Sequence, residues 1–112
     1  MHVSDAILRW GDSALGNVGA VVGAPSIGEL EAVTKYFSDS RKQVPLLIPG
    51  VGAQGGSALE VSAALKRVGY NLGIVRINSS AGINYAFEKE KTEDYAGAAV
   101  REIKALNKEI GI

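Results

Sequence analysis

The 112-residue sequence predicts an α/β fold: one leading helix, then three βα units on a parallel sheet. Three observations predict it. Short apolar runs begin at about Val18, Val44 and Leu72, at nearly even spacing. Each run lacks polar alternation, which suits strands covered on both faces. Each is followed by a stretch of helical periodicity. Such alternation gives parallel strands with right-handed crossovers, so the loops after the three strands fall on one rim.

The leading helix is expected over 3–15, with Val3, Ile7, Trp10 and Ala14 on its apolar face and Asp5, Arg9 and Asp12 on the polar one. Gly16-Asn17 stops it. The first strand, over 18–23, is broken by Ala24-Pro25. Ser26 and Glu29 have capping-box spacing. Ile27, Leu30, Val33 or Thr34, and Phe37 then give the inner face of a helix to about Ser38. A polar connection leads to the second strand, over 44–48.

That strand stops at Pro49 and opens into a loop with Gly50, Gly52, Gly55 and Gly56. Ser57 and Glu60 repeat the capping spacing, and Val61, Leu65 and Val68 form the next apolar stripe. Gly69 stops this helix, with Lys66 and Arg67 suited to its last turn. The third strand is expected over 72–77, and 78–82 reads as a small polar loop. The stretch 83–87 is ambiguous, a short helical turn being one option, and 88–93 reads as a solvated charged face. Glu93 and Asp94 open the last helix, whose inner face is Tyr95, Ala99, Ile103, Leu106 and Ile110. Trp10 and Tyr95 read as packing residues.

Composition narrows the chemistry. Net charge is zero and no basic run occurs, which argues against nucleic acid or a membrane surface as partner. There is no cysteine, and the single histidine is His2, so thiolate chemistry and a histidine zinc site are not expected. No apolar run approaches the ~20 residues of a membrane helix, and the start lacks a leader pattern, so a cytoplasmic location is the expectation.

The stretch from Val44 to Ser57 carries the strongest functional signal. Strand, glycine loop and helix start together bring backbone N–H groups onto an anion. The same glycines also suit a plain turn that needs their dihedral freedom. Asn78-Ser79-Ser80 reads equally as turn chemistry or as part of a site. Arg76 lies inside an apolar strand, so it either meets water at a strand end or pairs with an acidic residue of a partner chain.

Three blocks carry a resemblance. They are Gly19-Ala20-Val21-Val22-Gly23-Ala24, Pro49-Gly50-Val51-Gly52-Ala53-Gln54-Gly55-Gly56, and Asn78-Ser79-Ser80 with Gly82 and Tyr85-Ala86. In this order they resemble the last three strand–loop segments of orotidine 5′-phosphate decarboxylase, in its longer bacterial and archaeal type. The resemblance implies a partial TIM (βα) barrel, of strands six to eight out of eight. It also implies an enzyme, commonly dimeric with active sites near the subunit interface, that converts orotidine monophosphate to UMP and CO₂ without metal or organic cofactor. Pro49 would then touch the pyrimidine, and Gln54, on a mobile loop with Gly50 and Gly55, would contact the phosphate. The backbone of Ser80, Ala81 and Gly82 would complete the phosphate cradle, with Gly23 and Ala24 beside the site.

The sequence departs from that pattern twice. The D-x-K-x-x-D segment that carries the family's catalytic lysine does not occur in these residues, so none of them is expected to be catalytic. Ala81 stands where the family's Asn-Ser-Ser-Arg-Gly has its phosphate-gripping arginine. That contact is worth roughly 1.5–3 kcal/mol per charge-assisted bond. Arg76 is about 16 Å away along an extended strand at ~3.3 Å per residue, too far to replace it directly.

The expected role is therefore the carboxy-terminal, phosphate-binding part of such a decarboxylase, inactive by itself. The alternative is an inactive phosphate- or nucleotide-binding, or self-assembling, barrel fragment. Three strands cannot close a barrel, and their second face is apolar. Either the leading helix folds across that face or another chain covers it, as a homo-oligomer or as a partner supplying further strands. A nucleotide monophosphate is the expected ligand.

Overall fold

The computed structural model describes residues 2–13, 18–52 and 54–111. Its elements are α1 (His2–Ser13), β1 (Ala20–Val21), α2 (Ile27–Asp39), β2 (Leu46–Ile48), α3 (Ala58–Val68), β3 (Val75–Ile77), α4 (Ser80–Asn84), α5 (Ala86–Glu90) and α6 (Tyr95–Ile110). The sheet is parallel, in the order β1-β2-β3. Three βα units in chain order are what the spacing predicts.

The strands are shorter than their apolar runs. Leu72–Ile74 forms a turn of 3-10 helix, because the Asn71 side chain accepts from the Gly73 N–H at 3.0 Å and tightens the chain there. The polar segment after β3 is also not a loop throughout: from Ser80 it is helical. Of the two capping-box pairs, only the second gives a side-chain cap. Ser57 accepts from the Glu60 N–H at 3.3 Å, whereas the Ser26 side chain makes no cap and only its carbonyl receives Leu30. Gly69 ends α3 in the left-handed region (φ 76°), as a helix stop requires. Asp94 caps α6 by accepting from Gly97 at 3.0 Å.

The core lies between the sheet and one layer of helices. Ala20, Leu46, Ile48 and Val75 point into it from the strands. Leu30, Thr34 and Phe37 meet them from α2, and Val61, Ala64 and Leu65 from α3, all of these helix residues fully buried. Thr34 belongs in this layer because its hydroxyl is satisfied by the Leu30 carbonyl one turn back, at 2.7 Å. Tyr70, just past α3, is buried with its hydroxyl donating to the Val44 carbonyl at 2.5 Å. This bond ties the start of the β2 segment to the approach to β3.

Two amphipathic faces differ from their sequence readings. In α1 the inward stripe is Ser4, Ile7 and Leu8, while Val3 (72%) and Trp10 (57%) are exposed. Polar contacts set this rotation. Tyr36 of α2 donates to Asp5, and Lys42 reaches both the Leu8 carbonyl and Asp12. The expected end of this helix, including Ala14, lies outside the described residues. In α6 the fully buried position is Ala98, with Leu106 and Ile110 packed on the core, whereas Tyr95 and Ile103 are exposed. Here α4 and α5 pack beside α3 against α6, which turns the helix so that Ala98 fits the close contact. Tyr95 instead stacks edge-on against Phe87, with ring centroids 4.6 Å apart.

Because α1 docks on α2, no described helix covers the second face of the sheet. Val21, Leu47 and Arg76 stand in one row across that face, in ladder register, and all three are exposed. Of the two possibilities left by the sequence, a covering leading helix is thereby excluded.

Burial pushes the Tyr70 hydroxyl up to about 12 from its usual 10. A group raised in the folded state contributes stability that is complete below its unfolded value and is lost as pH rises through the folded one. The thermal midpoint should therefore fall between pH 10 and 12. Tyr70→Phe should lower the midpoint at pH 7, by about 0.5–1.5 kcal/mol of stability, and flatten the alkaline fall. Thermal melts by circular dichroism across this pH range test both. An unchanged alkaline slope in the variant would count against a buried, neutral Tyr70.

Candidate functional site

Three loops follow the carboxyl ends of the parallel strands, the position where such folds hold ligands. They are built as one unit by main-chain bonds. The Ala24 N–H donates to the Pro49 carbonyl at 2.8 Å, tying the first loop to the second. Asn78 donates to Ile48 at 2.9 Å, tying the third to the end of β2. Ser79, buried at 4% exposure, donates its hydroxyl to the Val51 carbonyl at 3.0 Å.

The glycine loop folds back on itself before α3. Gly52 donates to the Gly56 carbonyl and Gly55 to the Gly52 carbonyl, both at 2.9 Å, and Gly56 donates to the Gly50 carbonyl at 3.0 Å. Gly50, Gly52 and Gly55 have φ near +90°, where only glycine is unstrained. Gly56 is required for a different reason. A Cβ there would sit 2.5 Å from the Gly50 carbonyl oxygen and 2.6 Å from the Ala24 side chain. The N–H groups of Gly52, Gly55 and Gly56 are thus occupied within the loop. As in any helix, the first-turn N–H groups of α4, from Ser80 to Gly82, have no intrahelical partner, and the same holds at the starts of α2 and α3 on this rim.

The expected site residues fall as follows. Pro49 is half-buried, its carbonyl held by Ala24. Gln54 is exposed and its Oε1 lies over Gly50, where an added Cβ would be 3.2 Å away. Gly55 is exposed at the tip. Ser80 is exposed and donates to the Asn78 side chain at 3.3 Å. Ala81 and Gly82 are half-buried. The second and third loops meet at Ser79, whose Oγ lies 3.3 Å from where a Gly52 Cβ would be and 2.6 Å from where one on Gly82 would be. Gly23 is exposed, and Ala24 is fully buried beneath Gly56.

Sequence reasoning named Ser79 only as one of Asn78-Ser79-Ser80, and Pro25 only with Ala24 as a break after the first strand. Ser79 links the loops, and Pro25 closes over Gly50, its Cδ 3.0 Å from an added Cβ. Nothing in Asn78-Ser79-Ser80 distinguishes the buried hydroxyl from its exposed neighbour. Pro25 is legible only as a breaker. Arg76 does not reach this rim: its Nη1 donates to the carbonyls of Gly73 (3.1 Å) and Val75 (2.9 Å) on its own segment. Among the described residues, no group of three or more histidine, aspartate or glutamate residues could hold a metal ion. No described helix is long and apolar enough to cross a membrane.

No family model matches the chain, and no solved structure matches it. Curated relatives do. Over 110 residues, 96% of the chain, it is 38% identical to orotidine 5′-phosphate decarboxylase of Bordetella pertussis. It is 39% identical over 112 residues to the protein of that name from Natronomonas pharaonis. Over 92 residues, 82% of the chain, it is 46% identical to the one from Haloarcula marismortui. The chain spans only 37%, 38% and 28% of the lengths of these three relatives. The family that this chain matches is orotidine 5′-phosphate decarboxylase, and the match is to the carboxy-terminal part of its members.

Proposed function

We propose that these residues form the phosphate-side wall of an orotidine 5′-phosphate decarboxylase barrel, serving the conversion of orotidine monophosphate to UMP and CO₂ in pyrimidine biosynthesis. The observation that carries this reading is the likeness to that enzyme along 96% of the chain. The three loops joined on one rim support it, because a phosphate there needs donors from more than one strand end. In this reading Gln54 closes over the ligand from Gly50, and the first N–H groups of α4, at Ser80, Ala81 and Gly82, receive phosphate oxygens. Pro49 borders the base. The charged groups that act where the carboxylate leaves and the ring carbon takes a proton come from amino-terminal βα units, since no D-x-K-x-x-D segment lies in these residues. Holding the phosphate is still part of catalysis: binding energy from a remote group can be used to close and organise the reacting end.

Ala81 favours a second reading, a nucleotide- or phosphate-binding fragment without turnover. With no arginine there, phosphate recognition falls to neutral donors, which are individually weaker than charged ones.

Titration of the chain with UMP, followed by calorimetry, tests the site. Gln54→Ala should weaken binding several-fold, and Ala81→Arg should strengthen it by about tenfold, the equivalent of roughly 1.4 kcal/mol. Equal binding by all three proteins would sink the phosphate assignment. A spectrophotometric assay of orotidine monophosphate should show no decarboxylation by these residues alone. Turnover without added barrel units would overturn the division of labour.

Gly56→Ala tests the loop base separately. The clash with the Gly50 carbonyl and Ala24 should lower the thermal midpoint and weaken UMP binding together, whereas Gln54→Ala should leave the midpoint unchanged.

A further inference from the structure

The carboxylate of Glu102 lies against the wall where the second and third loops meet. From α6 its Oε1 comes to 3.9 Å from where a Cβ on Gly82 would be. The Ser79 hydroxyl is 2.6 Å from that same position and bonds onward to the Val51 carbonyl. The other oxygen of Glu102, Oε2, is 3.6 Å from Nζ of Lys89 on α5. The two partners differ in their access to water: the Glu102 side chain is 20% exposed and that of Lys89 is 78% exposed. A shielded negative charge therefore stands behind Gly82, with a solvated cation on its outer side.

The neighbouring charges do not change this balance. Arg101 is bonded to Glu90 through Nε and Nη2 and lies 3.6 Å from Asp94. Glu29 and Glu60, in the first turns of α2 and α3, are exposed, so water and salt screen them. Lys104 is exposed and two residues from Glu102, a spacing that puts it on a different side of α6. A shielded carboxylate is screened less, and it opposes an anion placed on the far side of Gly82. A phosphate dianion feels this repulsion twice over.

We propose that Glu102 and Lys89 set the charge that the Gly82 wall presents to a phosphate. Glu102 holds anion affinity down, and Lys89 is the counter-charge that relieves it. The inference rests on the proposed function for phosphate as the ligand of this wall. It adds two residues to it, on α5 and α6, outside the three rim loops. Neither touches the reacting end of a nucleotide; both act through the field at Gly82.

Calorimetric titration of the chain with UMP tests the pair. Lys89→Met should weaken binding about fivefold, Glu102→Gln should tighten it by a similar factor, and the double variant should return to within about twofold of wild type. The opposite signs carry the test. A pair that only fastens α5 to α6 is broken by either substitution, so both would then weaken binding and lower the thermal midpoint, and the proposal would be overturned. Lys104→Met removes the same charge elsewhere on α6 and should leave affinity within about twofold of wild type. A loss equal to that of Lys89→Met would reduce the effect to net charge and overturn the proposal as well. Gln54→Ala separates this inference from the reading beneath it. Weaker binding by Gln54→Ala, with no response at Lys89 or Glu102, overturns the charge pair and leaves the phosphate wall standing. No binding of UMP by wild type overturns both.

Discussion

The structure depends on a parallel sheet that is covered on only one side. Leu46 and Ile48 face the helices and Leu47 faces away, so β2 divides its apolar residues between two surfaces with different fates. On the helical side, Leu30, Phe37, Val61 and Leu65 close over the strands to give a dry core. On the other, Val21 and Leu47 meet water beside Arg76. Parallel strands are rarely stable in that condition, because their crossovers normally place cover on both faces. The loops at the rim inherit their positions from this sheet, since the first and third are both bonded to the end of the β2 segment and the second is tied to the third by Ser79.

The repeated βα plan was legible because its signal is local. Apolar runs at even intervals, Gly69 as a helix stop and Ser57 as a cap are properties of short stretches, and each has its structural counterpart. The faces of the two outer helices were less legible. In α1, Tyr36 and Lys42 are distant in sequence, and it is their bonds to Asp5 and Asp12 that turn Val3 and Trp10 outward. In α6, Ala98 rather than Ile103 fills the tight contact, because packing rewards fit over hydrophobicity where helices approach closely. Leu72–Ile74 has strand composition, yet the Asn71 side chain offers a competing local bond and the run begins as a turn.

At the rim, the sequence indicated where to look better than how the loop is wired. Four glycines imply unusual backbone, and three of them have it. Gly56 has ordinary dihedrals and is there for space beside Gly50 and Ala24, a distinction that no dihedral argument from sequence could draw. The inward use of the Gly52, Gly55 and Gly56 N–H groups was likewise hidden, because it follows from the loop closing on its own carbonyls. Ser79 became visible only once the second and third loops were side by side.

The order β1-β2-β3 has a kinetic consequence. Each strand pairs with the one that precedes it in the chain, so every ladder closes over a single helix and its two connections. Ladder partners such as Ala20 and Leu46, or Leu46 and Val75, are separated by one βα unit, so each pairing closes a loop of that length and no longer. The units can assemble progressively along the chain, with α2 and α3 sealing the core as β2 and β3 arrive. The outer edge of β3 is the last ladder edge that the described residues produce, and none of them pairs with it.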